Sequence, residues 1–211
     1  MRGYFYTVKP GMGKLLLNIN AATSAFYTPM TVAEFMKDDT FAPHEREGVL
    51  TNLRVHIEYD RKAPKNPKDR ERIARLNKPQ ARIKTIKGFG KPIGHADIKF
   101  RKGFVNADGN YEQEQGYTRV IDHMKDIFGV TADPKLKAVN VGTDNDPCYY
   151  PQEFLRILPY QQFKKLVPEK LTDGMLRAAC QGPQQNRALI EAEGLKKLGI
   201  VQKDDQQHFV S

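Results

Sequence analysis

Residues 118–159 read TRVIDHMKDIFGVTADPKLKAVNVGTDNDPCYYPQEFLRILP, and the rest of the chain is organised around this stretch. In its first third, Val120, Met124 and Ile127 recur at three- and four-residue spacing. Phe128 lies beside them, and Arg119, Asp122, Lys125 and Asp126 fall between. That period predicts a short amphipathic helix. Thr118 is positioned to cap its start, and Gly129 to end it in the left-handed conformation. The remainder is β-prone: Val139 and Val141 alternate, 142–147 is turn-rich, and Cys148, Tyr149 and Tyr150 resume an extended chain before Pro151. Neighbouring side chains of a strand point to opposite faces, so one of the two tyrosines must leave the core. A helix carrying His123 and Phe128 beside a Tyr-Tyr strand builds an aromatic cleft.

The 211 residues are 39% hydrophobic, 9% aromatic and 28% charged, which fits one large folded domain or a small domain with attached segments. No run approaches the length of a membrane span, so no membrane association is expected. The apolar run near the start is only 15–17, so the opening reads as strand and turn rather than a signal peptide. Two cysteines, Cys148 and Cys180, lie far apart. They suit a reducing compartment and exclude a CxxC zinc site. The five histidines are scattered, so neither metal nor cofactor is expected. Gly88-Phe89-Gly90-Lys91 and Gly11-Met12-Gly13-Lys14 lack phosphate-loop spacing. No nucleophile-elbow pattern is present, and Asp122 with Asp126, one helical turn apart, reads as a solvated face. No catalytic residue is assigned.

Charge is concentrated. Between Arg54 and Lys102 there are sixteen Lys/Arg and five acids, a local net of +11 in a chain whose total is +9. A single basic segment favours a polyanion-binding surface over general solubility, the bland alternative being a solvated basic loop.

In chain order, 4–8 and 14–20 predict a hairpin, with Leu15, Leu17 and Ile19 on a face available for burial. Thr31 and Glu34 have capping-box spacing, predicting a helix over 32–37 anchored by Phe35 and Met36. Residues 41–47 read as a connection. Over 50–59 the alternation is clear: Leu53, Val55, Ile57 and Tyr59 share one face of a strand. Residues 60–79 read as an inserted basic loop. Strands follow over 82–86 and 98–104, joined by a Gly/Pro-rich connection over 88–94, and 106–110 reads as a turn. From Pro168 the pattern turns helical, with Leu171, Met175 and Ala179 on one stripe. A second helix is expected over 184–198, stopped by Gly199, and 201–211 reads as a frayed end.

Basic strands beside an aromatic helix–strand element suit single-stranded nucleic acid, whose bases stack on rings while cations and hydroxyls hold the phosphates. The residue types are Tyr59, Phe100, Phe128, Tyr149 and Tyr150, with Arg82, Lys84, Arg101 and Lys102 near in sequence. Each aromatic taken singly is more often core than ligand contact.

Four segments resemble the eukaryotic Argonaute proteins, of fungal type. RGYFYTVKPGMGKLLLNINAATSAFY is similar to the family's first linker, and LRVHIEY with RIKTIKGFG resembles the opening strands of its PAZ domain. VIDHMKDIFGV and LKAVNVGTDNDPCYYPQEFLRILPYQQFKKL resemble the PAZ helix and exit strands. LTDGMLRAACQGPQQNRALIEAEGLKKLGI is similar to the second linker. The resemblance implies an α+β fold in three parts. Residues 1–48 would be the first linker (hairpin and short helix), 49–160 a PAZ-type small OB-like β-barrel with an αβ insertion, and 161–211 the helix pair of the second linker. It further implies a fragment whose middle and PIWI domains lie beyond Ser211, and so a non-catalytic piece. Its role would be to anchor the 3′ end of a small guide RNA in silencing, in the cytoplasm or also the nucleus, with the middle/PIWI lobe as a protein partner.

Carried over residue by residue, the family's 3′-end pocket falls on Tyr59, His123, Phe128 and Phe100, and on Cys148, Tyr149 and Tyr150 of the exit strand. Arg82 would hold the last phosphates, with Arg61, Lys62, Lys84, Arg101 and Lys102 as weaker backbone contacts. Two positions depart from the pattern: Asp146 stands where a lysine is usual, and Ala81 where a tyrosine is. Both bear on affinity rather than on location, and backbone neutralisation by the extra basic residues offsets them. The competing expectation is a structural module bridging the lobes of the parent protein with little RNA binding of its own. A Dicer-type PAZ enzyme is disfavoured by the linker-like flanks.

Overall fold

A computed structural model describes residues 1–59, 78–105 and 111–200. Residues 60–77, which make up most of the basic loop expected over 60–79 and include Arg61 and Lys62, lie outside these residues, as do the expected turn over 106–110 and the expected frayed end over 201–211. The chain forms two compact units, 27–161 and a second made from 1–26 with 162–211. By its contacts 27–48 therefore belongs with the central unit.

The central unit begins with α1 (Val32–Lys37), where Thr31 and Glu34 form the reciprocal capping box that their spacing predicts. Val32, Ala33 and Phe35 are its buried residues, whereas Met36 is only half-buried. The segment expected as a connection is instead α2 (Pro43–Leu50). Proline at its first turn presets the backbone, and Val49 and Leu50 bury its far end. Its other residues lack an apolar period, which hides it from a periodicity reading. Arg46 ties the two helices together, donating to the carbonyls of Met36 (2.7 Å) and Phe41 (3.0 Å).

Strand β3 (Arg54–Ile57) is shorter than its alternating sequence, but the pattern is obeyed: Leu53, Val55, Ile57 and Tyr59 are all at most 8% exposed. It is the middle strand of an antiparallel sheet, between β4 (Ile83–Thr85) and β10 (Leu155–Ile157). The chain then turns a corner at the fully buried Ile86. Its N–H donates to Leu53, its carbonyl accepts from Asn52, and the next N–H, of Lys87, donates to Asn140. This hands the chain to a second antiparallel sheet of β5 (Gly88–Pro92), β8 (Lys137–Asn140) and β9 (Tyr149–Tyr150), in the order β5-β8-β9. Strand β5 replaces the expected Gly/Pro-rich connection. Its ladder is irregular between Phe89 and Pro92, the kind of interruption a Gly- and Pro-containing strand imposes.

Strands β6 (Lys99–Val105) and β7 (Tyr111–Arg119) form a two-stranded ribbon. Strand β7, YEQEQGYTR, has no apolar alternation, so only its partner reveals it. Thr118 lies inside β7 opposite Phe100, and the cap of the following helix is Arg119, not Thr118. That helix, α3, starts as Val120–His123 and widens into a π-turn over Met124–Phe128 before Gly129, whose φ of 68° is the left-handed stop expected. The whole is α+β, built from small sheets. Among the described residues the ladders close no barrel.

In the other unit, β1 (Arg2–Gly11) and β2 (Lys14–Thr23) pair along their full length. The face expected to be buried is not: Leu15 is 78% and Leu17 41% exposed, and Ile19 is half-buried. Helix α4 (Glu169–Ala179) buries none of its residues, and Leu171 of the predicted stripe is 50% exposed. The second helix is broken into α5 (Pro183–Leu189), a π-turn over Ile190–Gly194 and α6 (Leu195–Lys197). Gly199 follows it with φ 70°. Gly194 lies close against the Tyr4 ring: a Cβ there would stand 3.0 Å from it, tight enough that the ring would have to shift by a few tenths of an ångström.

Candidate nucleic-acid interface

The alternation of β3 delivers Tyr59 to the inner face at the strand's end, where it is 7% exposed. Its ring centroid lies 4.8 Å from that of Phe128 and 5.8 Å, edge-on, from that of Phe154. Phe128 in turn meets His123 edge-on at 5.4 Å, and His123 meets Phe100 edge-on at 4.9 Å. The result is a continuous run of rings from β3, across α3, to β6. Positions five apart project about 140° from each other on a regular α-helix. The π-turn, with its wider bonding, closes that angle and lets His123 and Phe128 touch. Edge-to-face contacts of this kind are the favoured ring geometry. Phe100, His123 and Phe128 are half-buried, so this run is packed on one side and reachable on the other.

Arg82 closes the 3₁₀ turn Pro79–Arg82, and its guanidinium donates to the carbonyl of Tyr59. That bond fixes a cation at the backbone of Tyr59, the residue that begins the run. Lys84 pairs opposite the buried Val55, so its stem shares the inner face of β4 and is half-buried. Arg101 and Lys102 lie on β6, exposed and half-buried respectively.

The other three expected residues sit on a different sheet. Tyr149 and Tyr150 pair with Asn140 and Val139, and both are half-buried. The Tyr149 ring lies over Gly90, where an added Cβ would stand 2.7 Å from it, so a residue without a side chain is required there. Cys148 is exposed and holds its place through its backbone: its N–H donates to Asn140 Oδ1 (3.0 Å), and its carbonyl accepts from Val141.

Several positioning residues carry no chemistry of their own and were not singled out by sequence. Asn140 Oδ1 accepts from both Gly142 (2.9 Å) and Cys148, clamping the base of the loop that presents the tyrosines. Glu153 accepts from the Asp133 N–H (2.7 Å), and Gln152, 2% exposed, donates to the Lys137 carbonyl (2.9 Å). The Pro-x-Glu run at 151–153 is thus a structural staple between β8 and β10. Near the start of β6, Lys91 bonds Asp97 and holds its carboxyl below the usual carboxylate range, with His95 and Lys99 adding to the effect. Among the described residues no cluster of His, Cys, Asp or Glu is arranged to hold a metal ion, and no helix is long and apolar enough to cross a membrane.

The fold and the ring run define an α+β module with aromatic and cationic groups in reach of each other. Comparison with known proteins gives its relatives. Residues 1–28 match the Argonaute linker 1 domain. Rice (Oryza sativa subsp. japonica) protein argonaute MEL1 is 25% identical over 199 residues, covering 90% of this chain and 16% of that protein. Argonaute 10 of Arabidopsis thaliana is 26% identical over 192 residues, covering 86% of this chain and 17% of that protein. The crystal structure of Kluyveromyces polysporus Argonaute with a guide RNA superposes with a TM-score of 0.50 at 16% identity, covering 95% of this chain and 23% of that one. The chain is Argonaute-related, and it spans about a sixth of the length of the curated relatives it matches. Because plant proteins are among these relatives, the fungal-type narrowing is not carried further.

Proposed function

We propose that residues 49–160, the larger part of the central unit, form a PAZ-type module that anchors the 3′ end of a single-stranded small guide RNA. The observation that carries this reading is the run of Tyr59, Phe128, His123 and Phe100, with the Arg82 guanidinium at its head. The terminal base or ribose stacks on Phe100 or Phe128. Arg82, with Lys84 of β4 and Lys102 of β6, holds the last phosphates, and Cys148, Tyr149 and Tyr150 wall the far side. Tyr59, being buried, serves as the floor on which Phe128 rests. On this reading 1–48 and 161–211 are the two linkers around a 49–160 RNA-binding part. The piece binds rather than cuts, and it works in the cytoplasm or nucleus with the middle/PIWI lobe of its parent. RNA with a free 3′ overhang is expected to bind more tightly than blunt or 3′-phosphorylated RNA, measured by titration. Phe128→Ala is expected to cost about 1–3 kcal/mol of that affinity. Equal binding of all three RNAs would reject the proposal.

A second reading, a structural module bridging lobes, draws on a different observation: the apolar exposure of β1–β2, with Met12, Leu15 and Leu16 each at least half exposed. Exposed apolar surface of this kind marks interaction sites. Strong binding to a middle/PIWI lobe without RNA preference favours it.

A further inference from the structure

The β6–β7 ribbon has two faces, and the ring run uses only one. Phe100 points toward His123, so its neighbours Lys99 and Arg101 point to the opposite face. Tyr117 pairs directly with Arg101 and shares that opposite face. Tyr117 is 56% exposed, and its ring carries two cations, Lys99 Nζ and the Arg101 guanidinium, each 4.8 Å from its centroid. Arg119 joins them, because it pairs directly across from Lys99. Like charges directly opposite on a ribbon destabilise it. Asp122 offsets part of this by accepting from Arg119 at 2.7 Å, and Asp97 is already bonded to Lys91. Two cations on an exposed ring, and a third across the ribbon from one of them, thus stand against one directly engaged acid among the described residues. The register of the ribbon shifts between Arg101 and Gly103, just beyond this point.

We infer that this outer face, Tyr117 with Lys99, Arg101 and Arg119, is a second stacking site for single-stranded RNA, taking a nucleotide upstream of the terminal one. The ring supplies a sequence-tolerant surface for a base, and the cations accept the flanking phosphates, whose binding relieves the Lys99–Arg119 repulsion. The site rests on the RNA-binding reading of the chain but not on where the 3′ end is held.

The test uses the full chain with two probes, a uridine dinucleotide and an oligouridine of about eight nucleotides. Each carries a free 3′ hydroxyl in one arm and a 3′-phosphate in the other. Tyr117→Ala is expected to weaken the longer RNA roughly five- to hundredfold in both arms. It should leave the dinucleotide unchanged, while Tyr117→Phe, which keeps the ring, retains wild-type binding. Lys99→Gln should reduce the slope of affinity against salt for the longer RNA only. Unchanged binding of the longer RNA by Tyr117→Ala overturns the inference, as does an equal loss on both lengths. Loss of discrimination between the two 3′ ends, with the Tyr117 effect intact, rejects the 3′-end anchor and leaves this site standing.

Discussion

The hairpin β1–β2 and the strand β3 make opposite use of the same sequence pattern. The hairpin pairs ten residues on each strand, the longest ladder among the described residues, yet Leu15, Leu16 and Leu17 along it are 41–78% exposed. Strand β3 pairs only three residues on each side, yet every apolar residue it offers is buried. Leu15/Leu17/Ile19 and Val55/Ile57/Tyr59 alternate alike. What separates them is the presence of a second layer: α1 and the corner at Ile86 lie within the same unit as β3, whereas the tip of the hairpin has no such cover among the described residues of its own unit. Backbone pairing satisfies hydrogen bonds, but burial is what removes apolar surface from water.

Mutations at matched positions sharpen or break that contrast. The largest effect is expected at Leu155, fully buried on β10: Leu155→Ala should lower the unfolding free energy by about 2–5 kcal/mol in urea denaturation. Gly142→Ala comes next. The new Cβ would stand 2.2 Å from the Asp146 carbonyl oxygen and 2.6 Å from the Cys148 nitrogen, both backbone atoms that cannot rotate away. A loss of about 1–3 kcal/mol is expected, with a displaced tyrosine strand visible in amide spectra.

Thr31→Ala removes half of the capping box and should cost about 1 kcal/mol. The same motif predicts a pH dependence. The Glu34 carboxyl is held below its ordinary range, first by the bond from the Thr31 N–H. Its contribution is therefore present above the unfolded-state carboxylate pKa and is lost as pH falls through the lower, folded value. Acid titration of stability should show this limb in the wild type and a weaker one in Thr31→Ala. The smallest effect is expected at Leu15, where Leu15→Ala should change stability by less than about 0.5 kcal/mol. A loss there comparable to that of Leu155→Ala would mean that the hairpin is covered after all and would end the comparison.

Much of the candidate site was legible, for identifiable reasons. Tyr59 follows from strict alternation, and Gly129 from the need for a left-handed residue after a helix. The contact of His123 with Phe128 was not readable in the same way, because α-helical spacing separates them and only the π-turn brings them together. Tyr117 was missed because YEQEQGYTR lacks an apolar face. Its one signal was an aromatic placed among polar residues within reach of a basic strand. Gly90 became meaningful only once the Tyr149 ring was seen to lie over it.

By itself the sequence determined the elements whose causes are local: the capping box of α1, the buried face of β3, the glycine stops and the concentration of charge between Arg54 and Lys102. Each depends on residues a few positions apart, and local sterics and hydrogen bonding settle such cases. Only the tertiary structure decided which alternating strand is buried, that β5 and β7 exist, and which rings meet. Those outcomes depend on partners distant in the chain, and a period of two or of 3.6 residues says which face is apolar without saying what, if anything, will cover it.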